Sequence, residues 1–222
     1  MTVEPSGDPS TGPSAGSSAG ATAGSSGDPS EKSAVRRELL AARAALDARD
    51  VGAAAERIAV TALELAEMAR ASTVAAYVSV GREPGTRALL DVLRARGVRV
   101  LLPVLLPDND LDWAVYEGGE GLAKAGRGLL EPTGPRLGPD AVCDADVVLL
   151  PGLAVDGRGM RLGRGGGSYD RVLARLGRAG AHPALVVLLY AHEVVARVPE
   201  EPHDHPVHAV VTPAGVSRFE PA

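Results

Sequence analysis

Four glycines, two arginines and an aspartate fall within ten residues, Arg161-Leu-Gly-Arg-Gly-Gly-Gly-Ser-Tyr-Asp170, and that grouping suits a polyphosphate with its metal. Glycine has no Cβ, so the amides of Gly163, Gly165, Gly166 and Gly167 can approach phosphate oxygens and take the positive φ values that align successive N–H groups. Arg161 and Arg164 add forked donors of permanent charge. Tyr169-Asp170-Arg-Val-Leu-Ala-Arg-Leu then reads as a helix start, whose dipole also favours an anion. Glycine content alone reads equally as a mobile surface turn, in a chain with 27 glycines. The segment has no lysine for a Walker A loop, and its glycines are misplaced for a dinucleotide fingerprint.

Other residues invite chemistry less strongly. Lys32 and Arg36 lie four apart on one helical face, a pair that suits phosphates or a solvated stripe. Glu83, in Gly81-Arg-Glu-Pro-Gly-Thr86, is an acceptor-only group after an apolar run. Asp204 sits among His203, His205 and His208, but Pro206 breaks regular ligand spacing, so zinc is disfavoured. Trp113 and Tyr116 are two of six aromatic residues and suit either a stacking surface or the core. Cys143, the single cysteine, reads as a small buried hydrophobe and excludes an internal disulfide, in keeping with a reducing cytoplasm.

The elements that would hold these residues follow from periodicity. Lys32 to Leu46 and Ala53 to Ala69 are amphipathic helices, and Thr86 to Arg96 is a third with Leu89, Leu90 and Leu93 as its core face. Thr73–Val80, Val98–Pro103, Leu185–Tyr190 and Val207–Val211 read as strands, and Leu111–Tyr116 alternates like a partly exposed one. Val147–Leu150 is a continuous apolar run, the mark of a buried parallel strand. Strands alternating with helices predict a three-layer α/β/α domain with a mostly parallel central sheet, with the glycine segment at the strands' carboxyl ends.

Residues 1–30 differ in kind: eight Ser, six Gly, four Pro and four Ala, with no Lys, Arg or aromatic side chain. Such a segment cannot bury enough apolar surface to offset ordering, so a disordered tail is expected, followed by one domain over 31–222. It lacks the basic start and apolar run of a signal peptide. The remaining 192 residues carry 23 basic and 25 acidic groups, which offers no surface for nucleic acid or an anionic membrane. No apolar run reaches membrane-spanning length. The expectation is a cytoplasmic monomer acting on a small molecule.

Taken together, Lys32-x-x-x-Arg36, Pro151-Gly-Leu-Ala-Val-Asp156, Arg161 to Arg171, Glu200-Glu-Pro-His-Asp204 and Val210-Val-Thr-Pro-x-Gly-Val216 resemble the 5-formyltetrahydrofolate cyclo-ligase family, over about Lys32 to Val216. The resemblance implies an enzyme that uses ATP and magnesium to close 5-formyltetrahydrofolate into 5,10-methenyltetrahydrofolate. It assigns Lys32, Arg36, Arg161, Leu162, Gly163, Arg164, Gly165, Gly166, Gly167, Ser168 and Tyr169 to ATP. It assigns Val78 and Glu83, with Arg164 to Ser168, to the folate, on whose flat rings Trp113 could stack by its aromatic type. Asp170 and Asp204 would hold the metal, and Arg161, Arg164 and Tyr169 would act in catalysis. Phosphoryl transfer rests on positioning and charge neutralisation, which suits a site of cations and amides. This chain departs from the family at Ser168, which replaces an aromatic residue, at Arg164 (often tyrosine), at Val155 (often phenylalanine) and at Glu193 (often glutamine). Two other readings remain: a sugar-phosphate isomerase or acyl-carrier transferase on a similar fold, which would need a poised carboxylate or histidine, and a noncatalytic folate- or nucleotide-binding module.

Overall fold

The computed structural model describes residues 29–201 and 204–219. Residues 1–28 of the expected tail lie outside these. Pro29 and Ser30 belong instead to the first helix, two residues before the expected domain start. In chain order the main elements are α1 (Pro29–Ala45), α2 (Ala48–Leu63), α3 (Ala66–Arg70), β1 (Thr73–Ala75), α4 (Arg87–Ala95), β2 (Arg99–Leu105) and β3 (Leu111–Val115). They continue with β4 (Leu122–Lys124), β5 (Leu130–Pro132), β6 (Val147–Leu150), β7 (Ala154–Asp156), β8 (Arg161–Leu162) and α5 (Ser168–Ala179). Last come β9 (Ala184–Leu188), β10 (Val194–Val195), β11 (Ala209–Thr212) and β12 (Gly215–Arg218).

The central sheet runs β12-β11-β9-β6-β1-β2-β3. Five strands are parallel, and β3 and β12 pair antiparallel at the two edges. The α/β/α layering follows from strand alternation. Val147 and Leu149 face the layer that contains α2, α3 and α4, where Ile58, Leu89, Leu90 and Leu93 are buried. Val148 and Leu150 face α5, against Val172, Leu173 and Leu176. Each such Leu or Ile withdrawn from water contributes about 1.5–3 kcal/mol. β6, apolar on both faces, lies at the centre of the sheet, as its unbroken run requires.

Three features depart from the sequence expectation. The helix expected over 53–69 starts earlier and breaks at Glu64 and Leu65, giving α2 and α3. The strand expected over 73–80 pairs only through Ala75, because residues beyond it are drawn towards Thr86. The Thr86 hydroxyl donates to Tyr77 O at 2.8 Å, the Ser79 amide donates to Thr86 Oγ1 at 2.9 Å, and the Thr86 amide donates to Ser79 Oγ at 3.2 Å. Finally, a second sheet, β10-β7-β8, packs against α1 through Leu39, Leu153, Ala154, Leu162 and Val198.

Candidate active site

A cavity of about 450 Å³ opens at the carboxyl ends of β1, β2 and β6. Its volume lies in the range of small-molecule sites. The walls are set by strand order. Pro151 and the 163–170 segment lie on the β6 side, Tyr77, Val78, Val80 and Glu83 follow β1, and Pro103 and Leu105 close β2. Leu111, at the start of β3, and Arg127, Leu129, Leu130 and Glu131 from the β4–β5 hairpin complete the far end.

The glycine segment leaves β8 and ends as the N-terminus of α5. Gly167 caps that helix at φ 74°, a left-handed conformation that disfavours a side chain, and no side chain caps the helix. The first-turn amides of Ser168, Tyr169 and Asp170, residues that line the cavity, therefore lack helical partners. Gly165, at φ 92°, has the Arg36 guanidinium 3.4 Å from where a Cβ would stand.

Arg161 is almost wholly buried. Its Nη2 donates to Asp170 Oδ1 at 2.9 Å and its Nη1 to Pro151 O at 3.2 Å, while its Nε has no partner. The Tyr169 hydroxyl is likewise buried without a partner. Burial and the nearby charge of Glu83 push its pKa upward, so it stays a neutral donor. Two orphaned donors on one wall are what a site built around a polar ligand leaves open. In the same cavity Glu83 Oε1 accepts from Arg164 Nη1 at 3.0 Å, and Glu83 Oε2 accepts from the Val80 amide at 2.9 Å. Glu83 is thus a carboxylate held from both oxygens.

The inward face of α1 carries Lys32, Arg36, Leu39 and Arg43, at helical spacings of four, three and four. Arg36 Nε donates to Gly163 O at 2.9 Å, which fastens the helix to the loop. Lys32 is buried, and its Nζ reaches Glu201 Oε2 at 2.9 Å and Asp204 Oδ2 at 2.8 Å. Burial opposes its charge, but the two carboxylates outweigh that and raise its pKa. Arg43 pairs with both oxygens of the fully buried Glu193 at 2.6 and 2.8 Å and donates to Gly152 O at 2.6 Å. Sequence reading passed over Arg43, although its helical phase with Lys32 and Arg36 was the available signal.

Among the expected site residues, Val78, Glu83, Arg161, Gly163 to Ser168, Tyr169 and Asp170 share the cavity wall. Lys32, Arg36, Leu162 and Asp204 lie outside it, on the α1 side of the loop or beneath it. Trp113 is not brought to the site. It is fully buried in the cluster under α5, because the alternation of β3 turns it with Leu111 towards that core. Tyr116 is core too, its hydroxyl donating to Asp91 Oδ1 at 2.6 Å. His203 falls outside the described residues. His208 Nδ1 accepts from the Leu185 amide at 2.9 Å, a structural role beside β9. No group of three or more His, Cys, Asp or Glu able to hold a metal occurs among the described residues. A cation here would thus complete its shell with ligand oxygens or water, the habit of magnesium.

Comparison with known proteins agrees with this geometry. Residues 28–213 match the model of the 5-formyltetrahydrofolate cyclo-ligase family. A 5-formyltetrahydrofolate cyclo-ligase of Mycolicibacterium smegmatis is 45% identical over 146 residues, covering 64% of this chain and 73% of the relative. One from Escherichia coli strain K12 is 35% identical over 150 residues, covering 66% and 80%. The NMR structure of Aquifex aeolicus 5,10-methenyltetrahydrofolate synthetase superposes with a TM-score of 0.73 at 27% identity, covering 86% of this chain and 94% of that one. A second such synthetase, from Mycoplasma pneumoniae, shares the fold with a TM-score of 0.65 at 19% identity. With a family match spanning nearly every described residue and a shared fold, the chain belongs to the 5-formyltetrahydrofolate cyclo-ligase family of enzymes.

Proposed function

We propose that this protein cyclises 5-formyltetrahydrofolate to 5,10-methenyltetrahydrofolate at the expense of ATP. The observation that carries the reading is the pair of orphaned donors, Arg161 Nε and Tyr169 Oη, in a cavity that Glu83 also lines. A formamide oxygen is a poor leaving group. Transfer of the γ-phosphoryl group to it, with release of ADP, makes it a good one. N10 then attacks the formyl carbon, the C–O bond breaks, phosphate departs and N10 gives up its proton.

Each residue has a part in that sequence. The amides of 163–168 and the α5 N-terminus receive the phosphates, with Lys32 and Arg36 adding charge from the α1 side. Arg161, held by Asp170 and Pro151 O, directs its remaining Nε towards the transferred group. Tyr169 supplies a neutral hydroxyl there, and Glu83 accepts hydrogen bonds from the pterin's amino and ring N–H groups. Magnesium, bound through Asp170 with Asp204 on the metal's side, would neutralise charge between the phosphates. Val78 lines the folate's path. Arg164, paired with Glu83, occupies a place where the folate and phosphates meet.

The test is to mix purified protein with ATP, magnesium and 5-formyltetrahydrofolate and follow the near-ultraviolet absorbance of the methenyl product. Turnover is expected; a folded protein that binds both ligands without product would leave a binding module. Asp170→Asn should lower kcat by about 100-fold and raise the magnesium concentration needed for half-maximal rate. An unchanged magnesium dependence would remove Asp170 from the metal.

A further inference from the structure

We infer that Arg127 is a specificity residue for this site, which anchors the carboxylate-bearing glutamate end of the substrate; the inference rests on the proposed folate reading. Along the sheet the cavity crosses β6, β1, β2 and β3 in that order. At about 4.8 Å per strand, roughly 14 Å separate the glycine loop from the β3 end. Arg127, on the β4–β5 hairpin, lines that far end.

Between the glycine loop and Arg127 the walls are mostly apolar, Pro103, Leu105, Leu111, Leu129 and Leu130, and the one carboxylate there, Glu131, has its Oε1 held by the Leu105 amide at 3.0 Å. Such walls suit an aromatic ring and cannot satisfy a carboxylate. A folate carries its ionised groups at one end only, beyond the benzoyl ring. If the pterin lies against Glu83 with its formyl group towards Arg161, the benzoyl group crosses the leucines and the glutamate emerges beside Arg127.

Three facts fit Arg127 to that task. The cavity wall carries three arginines; Arg161 is paired with Asp170 and Arg164 with Glu83, whereas Arg127 has no carboxylate partner among the described residues. Its Nη1 instead donates to the neutral Asn109 Oδ1 at 3.0 Å, which orients the guanidinium without cancelling its charge. Arg127 and Asn109 are also the non-glycine residues with positive φ among those described, at 59° and 65°. The turn that bears Asn109 is fixed in turn to α5, because Arg175 donates to both oxygens of Asp110 at 3.1 and 2.6 Å. Left-handed backbone at non-glycine residues persists where its surroundings enforce it. Here it brings a cation to the mouth of the cavity.

The experiment compares 5-formyltetrahydrofolate with the primary amide of 5-formyltetrahydropteroate, which lacks the glutamate and carries no carboxylate, in the wild-type protein, Arg127→Gln and Arg127→Lys. Binding is measured by calorimetry and turnover by product absorbance. Arg127→Gln should weaken binding and raise KM for the glutamate-bearing substrate by about tenfold, leaving KM for ATP and kcat within about twofold. Arg127→Lys should recover part of the loss. With the pteroate compound, wild type and variants should agree. Equal losses on both substrates, or none on either, would overturn the anchor while leaving the cyclisation reading intact. Discrimination in binding by a protein that makes no methenyl product would do the reverse, and failure of the wild type to bind either compound would remove both.

Discussion

A buried hydroxyl without a partner is a liability that folding alone does not explain. Tyr169 Oη is such a group, on the wall of the cavity. An apolar residue of the same shape should relieve the ligand-free protein, because an unsatisfied buried polar group carries a penalty of about 1–3 kcal/mol. Tyr169→Phe should therefore melt at the same temperature or slightly higher. If the hydroxyl meets the transferred phosphoryl group or its oxygen, kcat should nevertheless fall by about tenfold or more. Differential scanning calorimetry and steady-state rates on the same preparation separate the two effects. A variant that is both less stable and equally active would show that the hydroxyl serves the fold. Ser168 lies on the same wall.

At the scale of elements, the cationic face of α1 works only if the helix is held against the loop. Its firmest attachment is the Arg43–Glu193 pair, with the Arg43 guanidinium also 5.8 Å from the centre of the Tyr190 ring. The geometry gives a reason for a carboxylate rather than an amide at Glu193. One carboxylate oxygen meets Arg43 Nε, and the other accepts from both Arg43 Nη2 and the Tyr190 amide at 3.0 Å. A glutamine offers one acceptor where this arrangement uses two. Glu193→Ala, which strands a buried arginine, should cost about 3–5 kcal/mol. Glu67→Ala breaks the exposed pair with Arg218 and should cost no more than about 1 kcal/mol, despite two short contacts at 2.7 and 2.8 Å. Urea unfolding of the two variants measures the contrast; similar losses would refute it.

The same elements show what could be read from sequence. β6 was legible because four consecutive apolar residues leave no solvent face, and α4 because its leucines repeat at helical spacing. The strands β7, β8 and β10, of two or three residues each, are too short to carry a period. In the site, Arg161 to Asp170 stood out because it is contiguous. Arg127, Tyr77 and Glu131 did not, since only the place of β1 beside β2 in the sheet and the folding of the β4–β5 hairpin bring them to one cavity. Trp113 suited a stacking surface or the core by type alone, and the alternation of β3, which sequence pattern leaves two-sided, turns it into the core.

For the whole molecule, the ionisable groups set a stability window with two edges. Backbone amides of Thr73 and Ser72, joined by the Ser72 hydroxyl, hold Asp146 between β1 and β6 and lower its pKa from 3.8. A lowered carboxylate stabilises above its unfolded pKa and loses that contribution as pH falls through the folded value. The acid edge therefore begins near pH 4. At the other edge, burial and the bond to Asp91 push Tyr116 from 10.0 to about 12. A raised group contributes fully below its unfolded value, and the contribution is lost between pH 10 and about 12. Burial raises Tyr77 as well and steepens the same edge. Asp146→Asn should thus be less stable than wild type near neutrality, with the gap closing as pH falls below 4. Tyr116→Phe should show the opposite pattern, its gap closing as pH rises above 10. Thermal melts across the pH range test both; a gap that stayed constant for either variant would mean that its group does not titrate differently in the folded and unfolded chain.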